Sequence, residues 1–358
     1  MSEQGQMNSV RSTAQLAKTL GLSRWTVSRA LNGHPGLNPQ TVARIKETAR
    51  THGFAPSVLG RGLRSGRTNL VGICLPNIVD YFLTTKIAHL EKALQAQGLH
   101  PLLQIMNGEP GVENSALERF ASMHCTGVVV IASKLKEADP GFRSLAASKI
   151  PVVHIDPLRS KASPSVSTDR HSAMVDALLH LHQLGHRRLV AAGISSETSY
   201  GKQRVSGLKA GCRKAGWIFQ RDILILPPPA APDDFAAGVL LAEEFQRTAN
   251  DFSAILALND RVASGMMRCL TEAGLHIPKD LSIVGYDNAD FSPYATPSLT
   301  TIDPKVECLI ERAVEMLMAG TSEATALVRP SFIERDSTGP ALVFREKNRP
   351  ASRLSRRN

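Results

Sequence analysis

No apolar run in this chain approaches the roughly 18 residues needed to span a bilayer, and MSEQGQMNSV at the start has no apolar core of a secretory signal. A cytoplasmic protein with no membrane association is therefore expected. Aromatic residues are only 5% of a chain that is 42% hydrophobic, which describes cores built from small aliphatic side chains. The five cysteines, Cys74, Cys125, Cys212, Cys269 and Cys308, lie far apart and form no CxxC pair. That spacing argues against a disulfide framework or a zinc site and for buried thiols in a reducing compartment. P-loop, GxGxxG, GxSxG and HExxH patterns are all missing, so the common signatures of nucleotide, serine-hydrolase and zinc-protease chemistry are excluded. No cofactor is expected.

What is present is an uneven charge. Residues 1–68 carry 10 Lys/Arg against 2 Asp/Glu, and the tail 341–358 carries 6 against 1. The intervening 69–340 holds 26 basic and 29 acidic residues, slightly negative, although the whole chain is +10. A basic head on a near-neutral body points to a polyanionic partner for the head.

The head has the grammar of a helix-turn-helix. Ser12 followed by Gln15 forms a capping box that opens a first helix, and Gly21 can end it in a left-handed conformation. Ser23 then caps a second helix reaching about Asn32, closed by Gly33. Asn38 with Pro39 opens a third that reaches His52 before Gly53. On the second helix, 100° per residue puts Arg24, Trp25, Ser28 and Arg29 on one arc of roughly 140°, with Thr26, Val27, Ala30 and Leu31 opposite. The second arc can pack on Leu16, Leu20 and Ile45. The first is free to meet base edges, where Arg pairs with guanine and Trp offers apolar contact or one donor. Trp25 could also turn inward as a packing residue.

From Asn69 onward, short apolar runs alternate with amphipathic helical stretches. The runs are LVGICL (70–75), PLLQI (101–105), GVVVIA (127–132), IPVVHI (150–155), RLVAAG (188–193), ILIL (223–226), AILAL (254–258) and LSIVG (281–285). Helical patterns between them include 172–184, 202–215 and 234–246. This alternation predicts parallel sheets covered on both faces, in two sets that meet near Ser167 and again near Pro297. Two α/β lobes with a cleft follow, and ligands of such folds bind beyond the carboxyl ends of the strands. Asp156, Asn259 and Asp287 stand at such ends, and Arg204 opens the helix after RLVAAG. Carboxylates, an amide and a guanidinium can together grip the hydroxyls of a sugar. Asp260 is expected to cap the helix that follows it.

The runs TAQLAKTLGLSRWTVSRALNG, TVARIKETARTHGFAPS and LRSGRTNLVGICLP resemble the amino-terminal half of LacI/GalR-family transcription regulators. LGHRRL (184–189), ALNDRVASGMMRCLTEAG (257–274), IPKDLSIVGYDN (277–288) and PSLTTI (297–302) match the same family, so the resemblance runs to about residue 338. It implies a helix-turn-helix head at 1–53, a hinge helix at 54–68, and a periplasmic-binding-protein-like α/β sensor core at 69–340. Lobe 1 would be about 69–167 with 299–327, and lobe 2 about 168–298 with 328–340. It further implies a dimer on a palindromic operator read by Arg24, Trp25 and Arg29, and Leu63 wedged between base pairs of the minor groove. Tyr81 and Phe82 match the aromatic pair lining the first lobe's side of the effector pocket. A repressor controlled by a sugar or sugar derivative is the function implied.

Gly60 and Gly62 depart from the family's helix formers in the hinge, each costing about 1 kcal/mol relative to Ala. The hinge is thus expected to be disordered off DNA and to fold on the operator, and Gly62→Ala should tighten operator binding. His180, His182 and His186 in HLHQLGH read as the end of an amphipathic helix and not as metal ligands. The tail 341–358 lacks leucine heptads and is expected to be disordered, which favours a dimer over a tetramer. Two alternatives stay open: a DNA-tethered carbohydrate-processing enzyme using Asp156 and Asp287, and a sugar-binding module that only anchors to DNA.

Overall fold

The computed structural model describes residues 10, 12–54, 68–158, 162–248, 251–321 and 324–341. The hinge positions Gly60, Gly62 and Leu63 and the tail beyond 341 lie outside the described residues.

The head is three helices: α1 (Thr13–Leu20), α2 (Arg24–Leu31) and α3 (Pro39–Thr51). Each starts where a short polar side chain satisfies an orphan amide: Ser12 takes the Gln15 amide, Ser23 that of Thr26, and Asn38 that of Gln40. Gly21 ends α1 at φ 64°, a conformation that would strain a side chain with a Cβ. Leu16, Val27, Ala30 and Ile45 are fully buried where the three helices meet.

Lobe 1 is an all-parallel six-stranded sheet. Its strands are β1 (Leu70–Leu75), β2 (His100–Ile105), β3 (Gly127–Ile131), β4 (Val152–Ile155), β5 (Ser165–Thr168) and β11 (Thr325–Val328), in the order β11-β5-β4-β3-β1-β2. One face carries α4 (Tyr81–Ala96) and α12 (Val306–Ala319), the other α5 (Pro110–Ser122) and α6 (Pro140–Ala147). Lobe 2 is a parallel sheet of β6 (Leu189–Ala192), β7 (Ile223–Leu226), β8 (Ala254–Ala257) and β9 (Ser282–Val284), in the order β7-β6-β8-β9. Here α7 (Arg170–Gln183) and α8 (Ser199–Ala215) cover one face, and α10 (Asp234–Thr248) with α11 (Asp260–Glu272) the other; α9 (Phe219–Asp222) is a single turn.

Both sheets are apolar on both faces, which is why their central strands read as unbroken runs such as GVVVI and AILA. The runs at the sequence level match eight strands to within one or two residues. Four further strands were not among them: β5, β11, and the antiparallel pair β10 (Thr301–Asp303) and β12 (Ser331–Ile333). They are three or four residues long, β5 (SVST) is mostly Ser and Thr, and none holds an apolar run of more than three residues. The chain leaves lobe 1 after β5, returns before α12 through β10, and leaves again between β11 and β12.

The expectation that all five thiols are buried needs correction. Cys74, Cys125 and Cys212 are buried, with Cys74 pushed up to about 12 by burial, whereas Cys269 is half-buried and Cys308 is exposed. Cys308 lies on the outward side of α12, whose inward residues Leu309, Ile310 and Ala313 fill the core.

Candidate functional site

Two surfaces concentrate chemistry, one on the head and one between the lobes. On α2 the inward arc packs through Val27 and Ala30, and the first turn of the outward arc is exposed. Trp25 is 65% exposed, among the most exposed large hydrophobic residues described, and Arg24 beside it is exposed. The inward-packing alternative for Trp25 therefore fails, because Val27 and Ala30 already fill the space against α1 and α3. Arg29 is only half-exposed and is already engaged. Its Nη2 donates to the Pro35 carbonyl at 2.6 Å, and its guanidinium lies 4.8 Å from the centre of the Trp25 ring. Arg29 thus braces both the turn after α2 and the face of Trp25. The Ser28 hydroxyl and carbonyl accept from Asn32 Nδ2.

The second surface is a cavity of about 300 Å³ at the carboxyl ends of both sheets. Phe82, Arg204, Asn259 and Asp287, singled out from sequence, line it together. Two larger hollows, about 640 and 530 Å³, lie on lobe 1: one between α4 and α12, the other at the amino-terminal ends of its strands. The smaller cavity is the candidate site because buried polar groups converge only there among these three.

Its floor is a charge cluster that sequence reasoning only half located. Asp156, 1% exposed, accepts from Lys86 Nζ at 2.6 Å, from Arg170 Nη1 at 2.8 Å and from the Thr168 amide at 3.1 Å. Burial alone would raise the Asp156 pKa, but Arg170 and then Lys86 hold it well below the ordinary carboxylate range. Asp156 does not line the cavity, and both its oxygens are occupied. Its expected role as a direct ligand contact gives way to that of counter-ion for two cations that do line it. Tyr200 ties the cluster to lobe 2: its hydroxyl donates to the Asp156 carbonyl, and its ring lies 4.2 Å from the Arg170 guanidinium.

Lys86, Arg170, Tyr200, Asp234 and Tyr286 are lining residues that sequence reasoning missed. Lys86 had a signal: it stands with Leu83, Leu90 and Leu94 on the buried stripe of α4, where a lysine needs a partner. Arg170 follows directly on β5, a strand end hidden by the polar wording of SVST.

The other expected residues take different places. Tyr81 is off the cavity, at its mouth. Its hydroxyl accepts from the Asp290 amide of lobe 2 at 3.1 Å, and Arg261 lies over both the Tyr81 and Phe235 rings. Phe82 turns its ring to the Lys86 ammonium, 4.1 Å from the centroid. Asn259 caps α11 by taking the Val262 amide, and its Nδ2 donates to Asp234 Oδ2 at 2.7 Å. Asp260 is therefore not the cap. It is buried and accepts from the Ala289 amide, Ser292 Oγ and Thr301 Oγ1, stapling α11 to the segment that returns to lobe 1. Burial raises its pKa to about 6.

Asp156 (φ 46°), Asp287 (φ 102°) and Asn288 (φ 48°) all hold left-handed backbone at strand ends. Residues other than glycine pay strain there, and such strain gathers at ligand sites. The Asp287 pKa is raised well above its ordinary value, first by burial and then by the like charge of Asp260. Burial also weakens the hold of Arg204 on its proton, and pushes the Tyr286 phenol up to about 12.

Of the three histidines, His186 is buried and spans Ser253 Oγ, Ser282 Oγ and the Gly339 carbonyl, joining lobe 2 to the last described segment. His180 contacts Thr338, and His182 contacts Arg187 and Trp217.

A three-helix head followed by two parallel-sheet lobes with a polar cleft defines a class: a DNA-binding head carried by a two-lobed binding core. A family model described as a periplasmic binding protein-like domain matches residues 178–338. A helix-turn-helix-type transcriptional regulator of Lachnoclostridium phytofermentans is 26% identical over 85% of this chain and 91% of its own length. Among solved structures, the Lac repressor dimer bound to operator superposes with a TM-score of 0.77 at 19% identity, covering 92% of this chain and 99% of that one. A LacI-family regulator of Enterococcus faecium with bound ribose gives 0.65 at 25% identity, covering 76% and 100%. Over most of its length the chain is thus similar to helix-turn-helix-type transcriptional regulators and to solved structures of LacI-family regulators.

Proposed function

We propose that this protein is a sequence-specific repressor whose hold on a palindromic operator is set by a sugar or sugar derivative in the interlobe cavity. The observation that carries the DNA half is the outward arc of α2, where Trp25 is 65% exposed beside Arg24 while Val27 and Ala30 on the opposite arc are fully buried. Trp25 and Arg24 both stand in the first turn of this helix, which is where a recognition helix meets base edges. Arg24 and Trp25 then set the operator sequence, Arg29 holds Trp25 in place, and Ser28 lies behind them. Leu63 is assigned the minor-groove wedge on the family resemblance alone.

The domain scheme follows the same reading: head 1–53, hinge 54–68, lobes built from 69–340, and a basic tail 341–358. Two chains act as a dimer, since a palindrome needs two heads about one helical turn apart. A protein reading chromosomal operators works in the cytoplasm; no described helix is long and apolar enough to cross a membrane. The relatives are regulators, and we infer the same here in place of an enzyme. Asp156, one half of the carboxylate pair a glycosidase would need, is held between Lys86 and Arg170.

Effector control follows from the clasp across the mouth. Tyr81 of lobe 1 meets Arg261 and the Asp290 amide of lobe 2 only while the lobes keep this angle. A ligand that prefers one angle biases the other end of the lobes, where the hinge enters, and by no more than its differential affinity. The test is selection of operators from random DNA by the full chain. Enrichment of one palindrome is expected, and its loss of affinity with the effector bound would complete the case; no enriched palindrome would overturn the reading.

A further inference from the structure

We infer that Trp25 reads the C5-methyl group of a pyrimidine in the major groove, and that Arg29 is its positioning residue and not itself a reader. This rests on the reading of α2 as the recognition helix. Little on the outward arc of α2 is left free for DNA. The Ser28 hydroxyl and carbonyl take Asn32 Nδ2. Arg29 Nη2 donates to the Pro35 carbonyl at 2.6 Å, and Arg29 Nε is closed off from solvent. The same guanidinium lies 4.8 Å from the centre of the Trp25 ring. The family resemblance places Arg29 among the base readers, but here its fork is already engaged on both sides. What remains is exposed Arg24 and the uncovered side of the exposed indole.

These two residues differ in what they can recognise. Arg24 has forked donors suited to guanine. Trp25 offers a broad apolar ring and a single N–H. Pressed on a polar base edge, that ring would strip water from donors and acceptors without replacing their hydrogen bonds, which weakens binding. Among the base-edge features of the major groove, one is apolar: the C5-methyl group of thymine. 5-Methylcytosine carries the same methyl at the same ring position, so the shared chemistry is a methylated pyrimidine. Arg29 makes the contact definite. A cation over one face holds the indole by a cation–π interaction, and the Pro35 carbonyl holds the cation. The opposite face and the ring edge are then left to meet the methyl group. Without that brace the indole would sample several rotamers and lose the discrimination a single methyl can give.

The experiment begins with operators selected from random DNA by the full chain and by Trp25→Ala. A pyrimidine position whose preference relaxes in the variant marks the contact. Synthetic duplexes then change only the methyl group there: thymine against uracil, and 5-methylcytosine against cytosine. Measured by fluorescence anisotropy, the methylated member of each pair is expected to bind about fourfold tighter per half-site, and about fifteenfold with both half-sites changed, as for one buried methyl-sized group each. Trp25→Phe should keep most of that ratio, and Trp25→Ala should lose it. In Arg29→Ala the ratio should fall toward one, with no other base position relaxed. Each ratio compares two duplexes on one protein, so a general loss of head stability cancels. Equal affinity of the parent for thymine and uracil duplexes would overturn the methyl contact, as would relaxation at purines alone in Trp25→Ala. A thymine preference without one for 5-methylcytosine keeps the contact and assigns the methyl to thymine. Relaxation at a further base position in Arg29→Ala, with the methyl ratio intact, would make Arg29 a reader and overturn its positioning role. No enriched palindrome would overturn the recognition-helix reading as well, whereas a palindrome indifferent to the methyl group overturns this inference alone.

Discussion

At the scale of single residues, the balance between burial and charge decides what each polar group does. Asp156 lies between two buried cations, so Asp156→Asn would leave Lys86 and Arg170 facing each other without a counter-charge. Breaking such a pair costs about 3–5 kcal/mol, which a urea denaturation curve would show as a lower midpoint. The folded pKa of Asp156 is depressed, so its contribution is present above the ordinary carboxylate pKa and is lost as pH falls through the folded value. Asp260 has the opposite sign. Its folded pKa is raised to about 6, so the proton is held more tightly in the folded state. Its contribution is complete below about pH 4 and is lost as pH rises through about 6. The parent should therefore lose more stability than Asp260→Asn between pH 5 and 7; equal losses would remove Asp260 from the account. On the head, Trp25→Ala should cut operator affinity at least tenfold with little change in head stability, because the ring is largely exposed. Arg29→Ala should weaken operator binding and also destabilise the head by about 1 kcal/mol, since it removes the hydrogen bond to Pro35. Fluorescence anisotropy on the selected operator, with thermal melts of each variant, separates these effects.

At the scale of elements, small residues set how closely helices approach. A Cβ on Gly265 of α11 would meet the Phe235 carbonyl of α10, and one on Gly238 would meet the Val262 carbonyl. Backbone cannot yield as a flexible side chain does, so Gly265→Ala should force α10 and α11 apart and cost about 1–3 kcal/mol. Calorimetric unfolding would check this; an unchanged melting temperature would show that the helices can slide. The element boundaries themselves were legible where capping residues or apolar runs were strong. Ser12, Ser23, Asn38 and the glycines after them mark the head helices to within a residue. The short strands β5, β10, β11 and β12 were not legible. A strand of three or four residues draws its stability from its neighbours in the sheet, so its own sequence carries little signal.

At the scale of the whole molecule, control requires that the two lobes couple the cavity to the head. The clasp between Tyr81 and Asp290 is one hydrogen bond across that boundary. Tyr81→Phe should weaken effector binding several-fold, as expected for a bond worth about 1 kcal/mol. Coupling is reciprocal, so operator DNA must shift effector affinity by the same factor that effector shifts operator affinity. Titrating the sugar that binds best with and without operator measures this directly. Identical dissociation constants would mean the cavity does not speak to the head.

The sequence alone determined the class of the molecule: a capped three-helix basic head, two parallel-sheet lobes, and a cleft at the strand ends. Those features are local. Caps lie within three residues of the amides they satisfy, and apolar periodicity reports burial element by element. Tertiary structure decided which polar residues share the cavity. Lys86 of α4, Asp156 after β4, Arg170 of α7 and Arg204 of α8 are far apart in the chain, and their roles come from a shared low-dielectric floor. Pairing there depends on distances of a few ångströms between elements, which no single stretch encodes. The same holds for α2, whose two arcs were legible, while only packing against α1 and α3 turned Trp25 outward.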